Sequence, residues 1–599
     1  MWISQVSIQN FRKIKQSNEA TFRFKEGVNL LVGENNVGKT TLVEAIALCL
    51  SFGKNDKYIF WSEEDFNDKK YPIQIKLHFS ELTEPQQARF HQALINTEDP
   101  DVSKWELVLT FRVFLVKGRI NSRISLGNEE EKSSNAFDLL NDVCIAYLPA
   151  LRDVKLDFQP GKKNRVSKLL RKDFKETEAT QILEIFKKAN EDAMQVSGAT
   201  NPMVVFKSKT NEYLTSLTIK GHDNRILLQF VEHEFEKILD SIAVYLAEYG
   251  IPIGANGLGY NNLIYIAVLL SKFKQELPNN HQFYCLIIEE PEAHLHPQLQ
   301  TLLLDFLQKE YGGVQIILTS HSPTVTAALH LDNLLVLNGI TSVLIKESGI
   351  SDKHKKILAK YLDVTKSQLF FARRLVFVEG ISEAFLIRRL WDLFFVANPE
   401  NQFNRQGVEI VNIGGVSFAP YVELLKYVFS HSSIRSALIT DDDRGTGRDC
   451  PSEYRFLIDE KLRDRETLET IFDNAPSSAR FRDLYESIHA LSSDGIENIG
   501  IFAARKTLEV ELGMSNPDKV KSMLGLVGID VQVSDNITPL AAGLMLWDEL
   551  DARSKKADFY MNLVESNLIE HLTIPPYIQQ AINFLNESTN GSPESDSSG

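Results

Sequence analysis

Cysteine is scarce in this chain. The four in 599 residues, Cys49, Cys144, Cys285 and Cys450, are scattered, and no two stand at metal-ligand spacing. Neither a zinc site nor a disulfide framework is therefore expected, and the pattern fits a reducing compartment. The amino terminus has no basic-then-apolar segment of the secretory type; it opens on an alternating pattern over Trp2–Gln9. Apolar runs such as Leu263–Leu270 fall far short of the ~20 residues a membrane span needs. Positive charge is also in deficit: the formal net charge is −15. That argues weakly against a nucleic-acid binder, but it leaves room for a local basic patch and for a dense acidic metal site. The expectation is a cytoplasmic protein with no membrane contact.

What is present is ordinary globular material, 43% hydrophobic and 24% charged. A single core does not accommodate 599 residues, and length alone predicts roughly three to five domains. No internal repeat is evident.

The first motif is Gly33-Glu-Asn-Asn-Val-Gly38-Lys39-Thr40-Thr41, preceded by an apolar strand pattern and followed by a helical one (Leu42, Ala45, Ile46, Leu48). This is a phosphate-binding loop in its required strand-to-helix context. Gly33, Asn35, Asn36 and Gly38 give a backbone that wraps phosphates, Lys39 reaches the β- and γ-phosphates, and the Thr40 hydroxyl, next to Thr41, holds Mg²⁺. Arg12, in the turn after the first strand, is expected beside the nucleotide. Asp65 offers a metal- or water-contacting loop residue as one reading, and a plain loop acid is preferred. Residues 162–175 are rich in Lys and Arg (Lys162, Lys163, Arg165, Lys168, Arg171, Lys172, Lys175); a DNA-facing helix is one reading, and a solvated helix face is preferred.

Further on, Gly254-Ala-Asn-Gly257-Leu-Gly259 opens another helix, and Phe283–Ile288 runs into Glu289-Glu290. Apolar residues ending on two acids form a Walker B pattern, in which Glu289 positions Mg²⁺ and Glu290 polarises the attacking water. His294 and His296 read as loop residues, not as metal ligands. Val314–Thr319 then ends on Ser320-His321, and His321 is placed to sense a γ-phosphate. These pieces, in this order, resemble the ATP-binding cassette heads of SMC and recombination-repair proteins over about residues 1–345. That resemblance implies a nucleotide site completed across a homodimer by a signature loop, here Gly257 and Gly259. Glu289 stands where Asp is usual and the signature is not Ser-Gly-Gly, so slow hydrolysis or ATP used as a sensor is in play.

The carboxyl-terminal part is organised around Leu375-Val-Phe-Val-Glu379-Gly-Ile-Ser-Glu383. A buried strand ending on a carboxylate presents it at the sheet edge where open α/β folds bind ligands. Glu383, one helical turn on, points back at the same spot. At ~4 Å and an effective dielectric of ~20, the mutual repulsion is on the order of 4 kcal/mol, unless a cation lies between them. Ser436–Thr440 ends on Asp441-Asp442-Asp443; Asp441 and Asp443 leave the strand on one side, where an adjacent parallel strand presents Glu379. Such a set of carboxylates suits one or two Mg²⁺ or Mn²⁺ ions.

Strand-end Glu followed by Asp-x-Asp resembles the Toprim fold. A cassette ATPase followed by Toprim resembles the OLD (overcoming lysogenization defect) family, including the nuclease subunits of Gabija-type phage defence, over about residues 1–570. The resemblance implies metal ligation by Glu379, Glu383, Asp441 and Asp443, with Glu509 and Glu511 as further acids. Lys556 is then the cation that stabilises the scissile phosphate, with Lys555 as its alternative. The overall expectation is an α/β chain: a cassette head (1–154 and 236–345) interrupted by a helical insertion (155–235), a connector (346–370), a Rossmann-like Toprim nuclease domain (371–585) and a disordered tail (586–599). Its expected activity is ATP-regulated, metal-dependent DNA cleavage, with a homodimer as minimum assembly and a helicase or reverse-transcriptase companion implied by the resemblance alone. The alternatives are a non-cleaving ATP-gated clamp and cleavage of RNA. Strand passage lacks a recognisable tyrosine gate, and primer synthesis lacks its zinc module.

Overall fold

A computed structural model of the chain describes residues 1–53, 59–95, 101, 104–127, 134–150, 157–161, 164–171, 173–196, 198–217, 226, 234–246, 250–253, 257–275, 277, 283–363, 366–415, 417–430, 434–444, 472, 474–494, 496–534 and 536–587. Gly254–Asn256, Lys162, Lys163, Lys172, Cys450 and most of the expected tail lie outside them. The strands are β1 (Trp2–Gln9), β2 (Ala20–Arg23), β3 (Val28–Val32), β4 (Ile73–Ser80), β5 (Leu94–Ile95), β6 (Glu106–Val116), β7 (Arg119–Leu126), β8 (Val143–Leu148), β9 (Tyr245–Leu246), β10 (Ile251–Pro252), β11 (Phe283–Glu289), β12 (Gln315–Thr319), β13 (Leu334–Asn338), β14 (Thr341–Leu344), β15 (Arg374–Val378), β16 (Val408–Asn412), β17 (Arg435–Asp441) and β18 (Ile499–Ala504).

Two compact units account for the chain: residues 1–145, 283–289 and 300–599, and residues 146–282 with 290–299. The first unit contains an antiparallel sheet of order β2-β1-β4-β6-β5, with β7 paired to β6. Its strands alternate: Ile73, Ile75, Leu77 and Phe79 are buried while Gln74, Lys76 and His78 are half-buried. One face packs on the core and the other meets solvent.

A second sheet runs β14-β13-β3-β12-β11-β8. Its β13, β3, β12 and β11 are mutually parallel, and they read as unbroken apolar runs because both faces are covered (Leu30–Val32, Cys285–Ile288, Ile316–Leu318). Helix α1 (Lys39–Leu50) leaves β3 through the glycine-rich loop.

The second unit is mainly helical: α2 (Arg165–Leu170), α3 (Glu176–Gln195), α4 (Pro202–Leu217), α5 (Phe235–Asp240) and α6 (Leu258–Gln275), with the β9–β10 hairpin. The preferred reading of 162–175 as a solvated face needs one correction. Lys168, Arg171 and Lys175 are exposed, but Arg165 is only 5% exposed, its guanidinium 4.9 Å from the Tyr265 ring centroid. An Asn164 cap starts α2 and turns Arg165 inward, where stacking on an aromatic face replaces hydration.

A four-stranded, fully parallel sheet of order β16-β15-β17-β18 completes the first unit. Around it lie α7 (Ile381–Phe394), α8 (Ala479–Ser493), α9 (Leu508–Ser515), α10 (Pro539–Ala552), α11 (Lys556–Glu565) and α12 (Pro576–Asn586). Val376, Val378, Trp391, Leu512, Leu546 and Phe559 belong to one core cluster here. No helix among the described residues is long and apolar enough to cross a membrane.

Candidate functional site

Parallel pairing fixes which strand ends meet. In the second sheet, β3 lies between β12 and β13, with β11 beyond β12, so the loop after β3, Glu289 and His321 share one carboxyl edge. The loop backbone turns through Gly33 (φ 147°), Asn36 (φ 69°) and Gly38 (φ 111°). A Cβ on Gly33 would sit 2.7 Å from the Leu337 carbonyl oxygen, so only glycine fits there.

Helix α1 carries no acid in its first turn, which leaves its N–H groups and dipole available to an anion. Lys39 is buried and folds back to donate to the carbonyls of Gly33 (2.7 Å) and Glu34 (3.0 Å). Its Nζ is also 3.4 Å from His321 Nδ1. Burial and the Lys39 charge together push the His321 pKa down to about 4, so the imidazole is neutral at pH 7. Asn35, Asn36 and Thr40 are exposed, while Thr41 and Glu289 are buried.

Arg12 is held by Glu44 of α1 and by Asp65 (2.9 Å). Asp65 is thus a buried anchor for Arg12 and not a solvated loop acid. Glu34, in the phosphate loop, pairs with Arg373 at the entry to β15. Phe371 lies 6.3 Å from the His321 ring, centroid to centroid. The loop after β3 and His321 therefore contact the segment that leads into β15.

Gly257, Gly259 and Glu290 belong to the second unit. There, Gly259 is a packing glycine: a Cβ would meet the His294 carbonyl oxygen at 2.3 Å, and Asn262 donates to the Ala293 carbonyl at 2.7 Å. Glu290 (φ 43°) and His294 (φ 62°) adopt left-handed backbone in the same loop.

At the edge of the four-stranded sheet, Phe377 pairs with Leu438, so two residues on Glu379 falls beside Thr440 and Asp441. Glu379 Oε1 accepts from the Thr440 hydroxyl and from the Asp441 amide (3.2 Å). Asp441 is half-buried among carboxylates. Desolvation, then the charges of Glu509, Glu379, Asp443 and Glu383, hold its pKa well above the usual range. Glu383 is raised by burial and then by Glu379 and Glu509. Its Oε2 accepts no hydrogen bond among the described residues. Asp443 (φ 54°) is raised too, first by burial, with Arg480 acting against the shift. Lys556 Nζ stands 3.7 Å from Glu509 and 3.2 Å from Asp551. Burial lowers its pKa, but these carboxylates more than offset that, so it stays charged. Lys555 turns instead to exposed Asp558 (2.8 Å).

The fold thus gathers Glu379, Glu383, Asp441, Asp443, Glu509 and Lys556. It does not gather Glu511, which binds Arg505 through its Nε (2.7 Å) and backbone amide (3.2 Å). On α9, positions 509 and 511 are about 200° apart around the axis, so the two acids leave on opposite sides.

Three partners escaped the sequence reading. Arg480 binds Glu379 (3.2 Å), Asp443 (3.1 Å) and the Asp441 carbonyl (2.9 Å). Asp442, 1% exposed, points away from the cluster to Arg444 (2.7 Å) and Ser477 (2.9 Å). Its carbonyl also accepts from Ser478, the cap of α8, which sets Arg480 in place. Lys506, 1% exposed, lies 4.8 Å from the Trp547 ring centroid and lowers the Asp443 pKa. No local motif marks Arg480; only the packing of α8 brings it there.

The donor set is hard oxygen throughout, as Mg²⁺, Mn²⁺ or Ca²⁺ requires, and the partnerless Glu383 oxygen is what a cation would satisfy. No trio of carboxylates among the described residues converges at ligand distances; Arg480 supplies the positive charge between Glu379 and Asp443. The residues fit a divalent cation in type and placement, with Arg480 as the group that must share or yield that position.

Known proteins resemble both parts of the chain. Residues 1–326 match the AAA ATPase domain family, and residues 370–443 match the TOPRIM domain of overcoming lysogenization defect protein-like proteins. The chain is 23% identical to Endonuclease GajA of Bacillus cereus (strain HuB5-5), covering 99% of this chain and 100% of that protein. It is 22% identical to the OLD nuclease of Thermus scotoductus (72% and 82% covered) and 21% identical to the Old nuclease of Escherichia phage P2 (65% and 69%). Among solved structures, an Smc head bound to the ScpA winged-helix domain is matched at TM-score 0.33 and 15% identity, over 57% of this chain and 97% of that one.

Proposed function

Because the chain belongs to the AAA ATPase domain family and continues into an OLD-like TOPRIM domain, we propose that it is an ATP-regulated, divalent-cation-dependent DNA endonuclease acting in anti-phage defence. The observation that carries the reading is the meeting of Glu379, Glu383, Asp441, Asp443 and Glu509 at one sheet edge beside charged Lys556. When bound there, Mg²⁺ or Mn²⁺ would acidify a water and offset the phosphate charge.

The chain's own residues do the rest. Glu379, fixed by Thr440, the Asp441 amide and Arg480, is a rigid ligand held on a strand. Lys556, kept protonated, lies where it neutralises charge developing on a phosphoryl oxygen. Arg480 has two carboxylate partners to exchange for a phosphodiester, which its planar fork suits. At the other edge, Lys39, Thr40, Glu289 and the α1 amides would hold nucleotide phosphates. Glu290, next to Glu289 in the chain, would polarise the attacking water, and the Gly257–Gly259 turn would act at the nucleotide site of a second copy, which makes a homodimer the minimum assembly. Arg373, just before β15, ties the phosphate loop to the amino-terminal end of that strand.

Supercoiled DNA and RNA, each incubated with the protein and Mg²⁺ or Mn²⁺, test the reading. Cleavage of DNA by wild type and its loss in Glu379→Ala are expected. If neither polymer is cut, or Glu379→Ala cuts as well as wild type, the proposal fails; cutting of RNA alone would reassign the substrate. Phosphate release that disappears in Lys39→Ala would establish hydrolysis at the first site.

A further inference from the structure

The solvent face of the antiparallel sheet carries a second feature. Strand β7 is an edge, paired only to β6 among the described residues, and Arg119, Asn121 and Arg123 project from it on one side, all exposed. The register sets Arg123 directly opposite Arg112, Asn121 opposite Phe114, and Arg119 opposite Val116, with Lys117 at the hairpin tip. The other face of the same strands is core: Leu107, Leu109, Phe111, Val113, Ile124 and Leu126 are buried.

Like charges directly opposite in a sheet destabilise it, and a fold normally relieves them with a carboxylate. Elsewhere on this face it does so: Lys76 pairs with Glu19 (3.1 Å) and His78 with Glu106 (3.2 Å). Arg112 instead donates from its Nε to the Gln74 amide oxygen (3.3 Å) and has no ion-pair partner among the described residues. Arg123 lies 5.5 Å from the Phe114 ring centroid. Arg119 and Lys117 have no ion-pair partner among the described residues. A cationic cluster that no carboxylate relieves among the described residues, in a chain of net charge −15, suits an anion from outside.

We infer that the β6–β7 face is a docking surface for the phosphate backbone of duplex DNA, separate from the carboxylate edge. Arg119, Asn121 and Arg123 recur every second residue, roughly 6.6 Å apart, so the row spans about 13 Å. Such a row tracks successive phosphates and does not enclose one small anion. Phe114, the aromatic within the cluster, already lies against Arg123, so it is not a free platform on which single-strand bases would stack. Contacts of this kind position a duplex without reading its sequence. The inference takes from the proposed function only the identity of the polyanion.

The test is fluorescence anisotropy of full-length protein with a labelled duplex in EDTA, titrated over salt, so that no cleavage is needed. Replacing Arg112, Arg119 and Arg123 together by Gln should reduce the slope of log K against log[salt] by about 2.7. Near ~0.1 M salt it should weaken binding on the order of 10²–10³-fold. The Lys triple variant should recover most of this. A control replacing Arg89, Arg405 and Arg553, which are paired with Asp142, Glu400 and Glu549, should leave the slope unchanged. Thermal melting of the Gln triple variant should not drop, since an Arg–Arg opposition is removed. Wild-type affinity and slope in the Gln triple variant, equal loss in the control, or a change in oligomeric state without a change in duplex binding would overturn the inference. So would a wild type that binds no duplex. Duplex binding without cutting once Mg²⁺ or Mn²⁺ is added would sink the nuclease reading and leave this surface standing.

Discussion

Replacing Gly543 by Ala sets two opposing effects against each other. Gly543 lies inside α10, where alanine is favoured over glycine by about 1 kcal/mol on helix propensity alone. Yet its Cβ would stand 2.3 Å from the Val510 carbonyl oxygen and 2.8 Å from the Met514 side chain. The first contact is with backbone, and no rotamer change relieves it. Reaching the ordinary 3.4 Å contact demands a separation of the two helices by about 1 Å. Gly513 makes the reciprocal contact, its Cβ 2.7 Å from the Gly543 Cα, so α9 has no slack to take up the strain. Overpacking of this kind costs about 1–3 kcal/mol, which outweighs the propensity gain and should lower the melting midpoint by a few degrees.

The functional consequence is larger. Val510 directly follows Glu509 on α9, and a ~1 Å misplacement of a reacting group costs on the order of 10²-fold in rate. Plasmid cleavage with Mg²⁺ or Mn²⁺ should therefore drop about 10²-fold in Gly543→Ala, while nucleotide hydrolysis is retained. Gly525, at the end of a helix (Val520–Gly525) with nothing within 4 Å of its Cβ, is the control: Gly525→Ala should melt no lower than wild type and cleave as wild type. If Gly543→Ala were as stable and as active as wild type, the close packing of α9 on α10 would not be what positions Glu509.

Three further outcomes follow from the same geometry. Glu509→Gln should abolish cleavage, whereas Glu511→Gln should lose only its bonds to half-exposed Arg505, about 1 kcal/mol, and keep cleavage within about tenfold; the reverse ranking would misplace the ligand set. His321 should titrate near its lowered value of about 4 by NMR. Between that value and the ordinary ~6.5 the unfolded chain binds a proton that the folded chain does not, so its contribution to stability is full above that window and falls as pH drops through it; a midpoint near 6.5 would refute its enclosure by Lys39. Asp442→Asn should weaken cleavage about tenfold by loosening its side-chain bonds to Arg444 and Ser477, which adjoins the α8 cap, and with them Arg480, without changing nucleotide hydrolysis; unchanged cleavage would show that Arg480 is positioned by other means.

The chain announced its two strand-to-helix loops because each is local. Gly33–Thr41 and Val378–Glu383 are contiguous, and glycine, apolar β-formers and a terminal charge define them without distant help. Asp441, Asp442 and Asp443 are likewise contiguous, but β17 ends at Asp441 and Asp443 takes left-handed backbone (φ 54°), so alternation alone does not orient them. Helical periodicity alone places Glu509 and Glu511 on different sides of α9, but not which side meets Glu379. That was decided by the packing of α9 on α10, through Gly513 and Gly543. Arg480, Lys506 and the Glu34–Arg373 pair involve partners far apart along the chain, and they meet only because parallel strands align their ends. The Arg112–Arg123 opposition depends on strand register, which is a pairing and not a composition. Residue chemistry and local spacing therefore determined what this protein can bind, while strand order and helix packing decided which charges face one another.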